Sequence, residues 1–211
     1  MIFPRKFLMA AAALLAAAVL FSGCRFGREE NALVYDLDAV PVNLDPQSAA
    51  DAASRLVIQC IFEGLVTARD DGSIQPAAAE DWSVSEDGLT YTFYLREDVK
   101  WENGDPVTAK DFVFGFQRLL NPDTDAPDAE NYFGIENAEE VAAGQMEPEM
   151  LGVEALSEKE LVIRLEEADS RFLELLDQPA AMPCHEEFFA GTKGRYGLGA
   201  NVANSIIADG C

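Results

Sequence analysis

DGLTYTFYLREDVKWENGDPVTAKDFVFGFQRLLNP, residues 87–122, holds a strand, a tight loop and a helix in immediate succession. Leu89, Tyr91, Phe93 and Leu95 fall on one side of its first segment, and Thr90, Thr92 and Tyr94 on the other. Aromatic and β-branched residues at period two predict a strand over residues 89–95. Glu102-Asn103-Gly104-Asp105-Pro106 predicts a tight loop, because Gly and Asn reach backbone conformations that other residues avoid. Thr108 then opens a helix: it can cap the first free N–H groups, and Asp111 can answer it from the first turn. Phe112, Val113, Phe116, Leu119 and Leu120 recur at helical spacing and form one apolar stripe. Asn121-Pro122 stops the helix, since Pro drives the preceding residue away from the α conformation.

On the amino-terminal side, residues 33–37 alternate apolar and polar as a strand does. Residues 54–64 carry Leu56, Val57, Cys60 and Ile61 at helical spacing, with Gly64 as terminator. Asp70-Asp71-Gly72 is a turn signal. On the carboxyl-terminal side, residues 134–143 read as a helix, residues 156–165 as a hairpin turning at 157–160, and residues 170–176 as a short amphipathic helix. The stretch 191–210 is rich in Gly, Ala and Asn and shows little periodicity. Strands and helices interleaved in this way predict a mixed α+β or α/β fold and exclude a helical bundle.

The first residues belong to a different physical regime. Arg5 and Lys6 precede a run from Phe7 to Phe21 without charge, too short for a comfortable membrane span and followed by the small residues Ser22 and Gly23. That layout predicts an export signal over residues 1–23. Leu20-Phe21-Ser22-Gly23-Cys24 resembles a bacterial lipobox, which implies lipidation of Cys24 and a membrane anchor, with residues 24–30 as a polar tether. Phe21 stands where Leu, Val or Ile is usual, so ordinary cleavage with an unmodified Cys24 stays open.

Loss of residues 1–23 removes two cations and no acids, leaving 13 Lys plus Arg against 38 Asp plus Glu, a balance of −25. Nucleic acid is thereby excluded as a partner, since phosphate recognition needs clustered cations. The remaining cysteines, 24, 60, 184 and 211, form no Cys-x-x-Cys pair, and His185 is the single histidine. That is too small a ligand set for a thiolate and imidazole metal site, and no cofactor is expected. A Cys60 to Cys184 bridge is compatible with the count, as are reduced, buried cysteines.

No motif for catalysis appears. A nucleophile elbow, a phosphate-cradling loop and a His-Glu-x-x-His zinc motif are all missing from the sequence. His185, beside Glu186 and Glu187, reads as a surface or helix-start residue. Tyr91, Phe93, Tyr94, Trp101, Phe112, Phe114 and Phe116 cluster in 26 residues at strand and helix periods, which predicts core packing with a ligand-facing minority. An enzyme is not expected.

Together, Asn43-Leu44-Asp45-Pro46, Phe62-Glu63-Gly64-Leu65, Ala79-Glu80-Asp81-Trp82 and the stretch 87–122 resemble the extracytoplasmic solute-binding proteins that capture oligopeptides, dipeptides or nickel for ABC importers, in their oligopeptide branch. The resemblance implies a periplasmic-binding-protein-like, two-lobed α/β fold with an extra small domain. Residues 31–64 and 180–211 would belong to the first lobe, and residues 65–179 to the smaller domain. The 211-residue chain is expected to be an amino-terminal part, truncated before the second lobe. The ligand would be an oligopeptide lying extended and held by main-chain hydrogen bonds, and the partner an ABC permease. A dipeptide, a nickel chelate, another small solute, or a peptide-sensing role are the alternatives. Equal spacing between motifs puts Ala52 where such proteins run main chain beside the peptide. Asp128 falls where relatives carry a ligand-contacting tyrosine, and Tyr132, one helical turn on, is the expected substitute.

Overall fold

The computed structural model describes residues 36–198 and 207–209, and those from Leu37 onward form one compact unit. The export signal, Cys24, Cys211 and all but two residues of the expected strand 33–37 lie outside the described residues; Asp36 and Leu37 themselves are not in a strand.

Helix α1, Ala52–Ile61, begins two residues before the expected start because Asp51 caps it, its carboxylate accepting from Ser54 N at 2.9 Å. It ends before Phe62, whose side chain turns into the core against Trp101, short of the Gly64 expected to terminate it. Strands β1, Val66–Ala68, and β2, Ile74–Pro76, form a hairpin around the predicted turn, with Gly72 at φ 80°. Strand β3, Ala79–Val84, pairs with β4, Thr90–Leu95, the strand read from the sequence. Antiparallel β5, Val153–Ala155, and β6, Glu160–Arg164, complete a four-stranded sheet in the order β3-β4-β6-β5.

Register decides which face of that sheet is buried. Phe93 stands opposite Trp82 on one side and Leu161 on the other, and Tyr91 stands opposite Ile163. Phe93, Leu161 and Ile163 are fully buried, and these cross-strand pairs form the inner face. Helix α2, Ala109–Leu119, covers this face with Phe112, Phe116 and Leu119. Thr108 N and Oγ1 both donate to the Asp111 carboxylate, at 2.7 and 2.9 Å. A turn from the far end of the sheet fastens the loop between strand and helix. Lys159 Nζ donates to the carbonyls of Arg96 and Val107, both at 2.9 Å, and Glu158 O accepts from Ala109 N.

The helix expected over residues 134–143 is confined to α3, Ala138–Ala142. Ile135 is diverted into an antiparallel bridge with Leu165, and Asn137 turns left-handed at φ 65°. Helix α4, Phe172–Leu175, and helix α5, Glu186–Gly191, follow. His185 starts α5 as read, its Nδ1 accepting from Phe188 N, while Nε2 meets Asp105 at 3.1 Å. The segment 207–209 docks through one backbone and one side-chain acceptor: Ala208 O accepts from Glu102 N, and Asp209 Oδ1 accepts from Glu63 N, each at 2.9 Å. Cys60 is exposed and Cys184 buried, and no disulfide joins them.

Candidate ligand-binding face

The Asn43-Leu44-Asp45-Pro46 motif is a rivet. Asp45 is 5% exposed, and both its carboxylate oxygens accept from the equally buried Arg118 of α2, at 3.0 and 2.6 Å. Arg118 also donates to Gln47 Oε1 at 2.6 Å, contacts Cys184 Sγ at 3.4 Å, and lies 4.0 Å over the Phe189 ring. Burial pushes the Cys184 thiol up to about 12, against the opposing pull of the guanidinium. Asn43 Oδ1 accepts from Asp45 N, and Ser54 Oγ of α1 accepts from Val42 N and Asn43 N. Gly197 closes the rivet from outside: its φ is 66°, and a Cβ there would stand 2.1 Å from Asp45 N. The loop before α1 is therefore fixed from several sides, and so is the start of the helix.

Ala52 is exposed in the first turn of α1. Arg55, one turn further on the same face, pairs with Asp128 at 2.6 Å, the two side chains being 29% and 22% exposed. Helix and loop thus join Asp128 to Arg55, a residue one turn from Ala52 that the sequence reading did not single out. Tyr132 is placed differently from the expected ligand contact. It is 1% exposed, packs edge-on to Phe116, and donates its hydroxyl to Leu175 O at 2.8 Å. Burial, with Asp128 as a secondary cause, raises its pKa above the ordinary phenol range. Tyr132 supports this face from beneath. Of the other aromatics, Tyr91, Phe93, Trp101, Phe112 and Phe116 are buried, Phe114 is partly buried, and Tyr94 is 41% exposed.

No group of three or more His, Cys, Asp or Glu side chains among the described residues is arranged to hold a metal ion. No helix among them is long and apolar enough to cross a membrane.

A mixed sheet-and-helix unit riveted in this way matches one part of a two-lobed, periplasmic-binding-protein-like fold. It superposes on the substrate-binding domain of an oligopeptide ABC transporter from Bacillus anthracis with a TM-score of 0.75 and 40% identity, over 80% of this chain and 32% of that one. On Listeria monocytogenes OppA bound to peptide the TM-score is 0.76 with 31% identity, over 82% and 33% of the two chains. The chain belongs to family 5 of the bacterial extracellular solute-binding proteins, whose middle region matches residues 73–202. The periplasmic oligopeptide-binding protein OppA of Haemophilus influenzae is 42% identical over 137 residues, 64% of this chain and 25% of that protein. The chain spans about a quarter of the length of that relative and about a third of the two solved chains. The family is one of extracytoplasmic solute-binding proteins.

Proposed function

We propose that this chain contributes the first ligand wall of an oligopeptide-binding lipoprotein, which captures peptides outside the cytoplasmic membrane and delivers them to an ABC importer without chemical turnover. The observation that carries this reading is the match to a peptide-bound OppA across 82% of the chain, combined with an exposed face of α1 held rigidly by the Asp45–Arg118 rivet. Ala52 and Asp128 are assigned to the wall, with residues 65–179 as the smaller domain and residues 31–64 and 180–211 as parts of the first lobe. Residues 1–23 would serve for export and Cys24 for lipid attachment, holding the protein on the membrane.

A mixed peptide library offered to the purified protein, with retained ligands identified by mass spectrometry, tests the capture step. Retention of peptides of several residues supports the reading, whereas retention of metal chelates or bile salts alone sinks it. Incorporation of labelled palmitate into the wild type and its loss in Cys24→Ser tests the anchor.

A further inference from the structure

Residues 207–209 are docked against the exit of α1 through Glu63 N and against the β4–α2 loop through Glu102 N. Ile207, 3% exposed, seats the segment in the hydrophobic core. Asp209 ends it with a carboxyl group that is only partly satisfied. The residue is 6% exposed, Oδ1 accepts from Glu63 N at 2.9 Å, and Oδ2 is sealed from solvent without a hydrogen-bond partner among the described residues.

The Glu63 amide favours a negative charge on Asp209, but the side chains around it oppose one. Glu63 at the exit of α1 and Asp111 in the first turn of α2 both make it harder to ionise. Glu102 and Asp105 are the acids of the adjoining loop. The basic groups nearby are committed elsewhere: Arg96 holds Glu63 at 3.0 Å and meets Asp98 at 3.3 Å, and His185 holds Asp105 at 3.1 Å. A carboxylate in this position is short of both water and counter-charge, whereas the neutral acid needs neither.

We propose that Asp209 is a proton-operated latch: its uncharged acid holds residues 207–209 in the dock, and loss of the proton releases them and frees the exit of α1. The released carboxylate regains the water that its docked position denies it. Burial first, then the charges of Glu63 and Asp111, pushes the docked carboxyl up to about 8, against 3.8 for the ordinary group. A proton held more tightly in the docked form makes closure complete below about pH 4. Each pH unit between about 4 and 8 then shifts the balance toward release by up to about tenfold, and no further shift follows above about 8. The latch goes beyond peptide capture and does not depend on it, yet it acts on the helix assigned to the ligand wall. Glu63 stands two residues after the end of α1, which the Asp45–Arg118 rivet fixes near its start. The helix is thus fixed at both ends only while Asp209 keeps its proton.

The test is amide hydrogen exchange of the full chain from pH 5 to pH 8, corrected for the pH dependence of free amides. The Glu63 and Glu102 amides are expected to exchange faster than Leu165 N, which donates to Leu89 O within the sheet region. Their protection should fall roughly hundredfold between pH 5 and pH 7. Asp209→Asn keeps an oxygen acceptor and cannot ionise, so its protection should stay constant with pH. Glu63→Gln removes one opposing charge, so the fall should level off at a lower pH than in the wild type. A constant protection in the wild type, or an equal fall in Asp209→Asn, would overturn the latch. Exchange of Glu63 and Glu102 no faster than that of Leu165 would overturn it as well, since the segment would then leave only when the whole fold does.

Discussion

Asp45 and Arg118 stand 73 residues apart in the chain, yet form a buried pair through two hydrogen bonds of 3.0 and 2.6 Å. Removing one partner strands a charge in the core, and such losses amount to about 3–5 kcal/mol. Arg118→Met is therefore expected to destabilise the chain by that order in urea unfolding. Arg118→Met combined with Asp45→Leu should lose much less, because no charge is left unpaired. Equal losses in the single and double variants would show that the pair acts by shape and not by charge.

The Arg55–Asp128 pair is partly exposed, so it contributes little to stability, on the order of 1 kcal/mol or less. Asp128→Asn should leave the unfolding midpoint almost unchanged while giving Arg55 an uncompensated charge on the proposed ligand wall. Peptides retained by the variant should then be enriched in Asp and Glu relative to the wild type. An unchanged mass-spectrometric profile would remove Asp128 from the wall.

Asp209 is 6% exposed, and burial first, then the nearby charge of Glu63, pushes its carboxyl up to about 8 from 3.8. A folded-state pKa raised in this way means that the folded form holds the proton more tightly than the unfolded chain. The stabilisation is complete below about pH 4 and disappears as pH rises toward about 8. Urea midpoints measured across that range should fall in the wild type beyond the trend of Asp209→Asn. Parallel curves for the two proteins would show that Asp209 ionises without consequence.

Cys184 is sealed in the rivet with its thiol pushed up to about 12, so it should resist maleimide at neutral pH until the protein unfolds. In a Cys24→Ser, Cys211→Ser background, label on Cys184 should appear only in denaturant. Rapid labelling of Cys184 would mean that the segment from Cys184 to Tyr196 opens readily.

The strand, loop and capped helix of residues 89–119 were legible in the sequence because their signals are local: period two, Asn-Gly, and a Thr–Asp pair three residues apart. Strand β3 carried no such signal, since four of its six side chains are exposed and only Ala79 is buried. Strands β1 and β2, at three residues each, are too short to display a period. The overlong helix at residues 134–143 had the composition of a helix, but Ile135 is taken up by its bridge to Leu165 and Asn137 turns left-handed before the helix starts. At the candidate face, motif spacing singled out Ala52 and Asp128 as candidates, whereas the Arg55–Asp128 pair and the inward turn of Tyr132 depend on distant partners. The Asp45–Arg118 pair was hidden for the same reason, although each residue lay in a quoted motif.

Lys159 and Glu158 clasp both ends of the loop that joins β4 to α2, at Arg96, Val107 and Ala109. The tip itself meets the rest of the fold through Glu102 N, which donates to Ala208 O, and through Asp105, which meets His185, and Gly104 between them is left out of both contacts. Gly104, exposed at φ 93° with open space around its missing Cβ, is a natural splice point. A fluorophore or affinity tag inserted there would ride on the protein as cargo, leaving sheet, helix and ligand wall undisturbed.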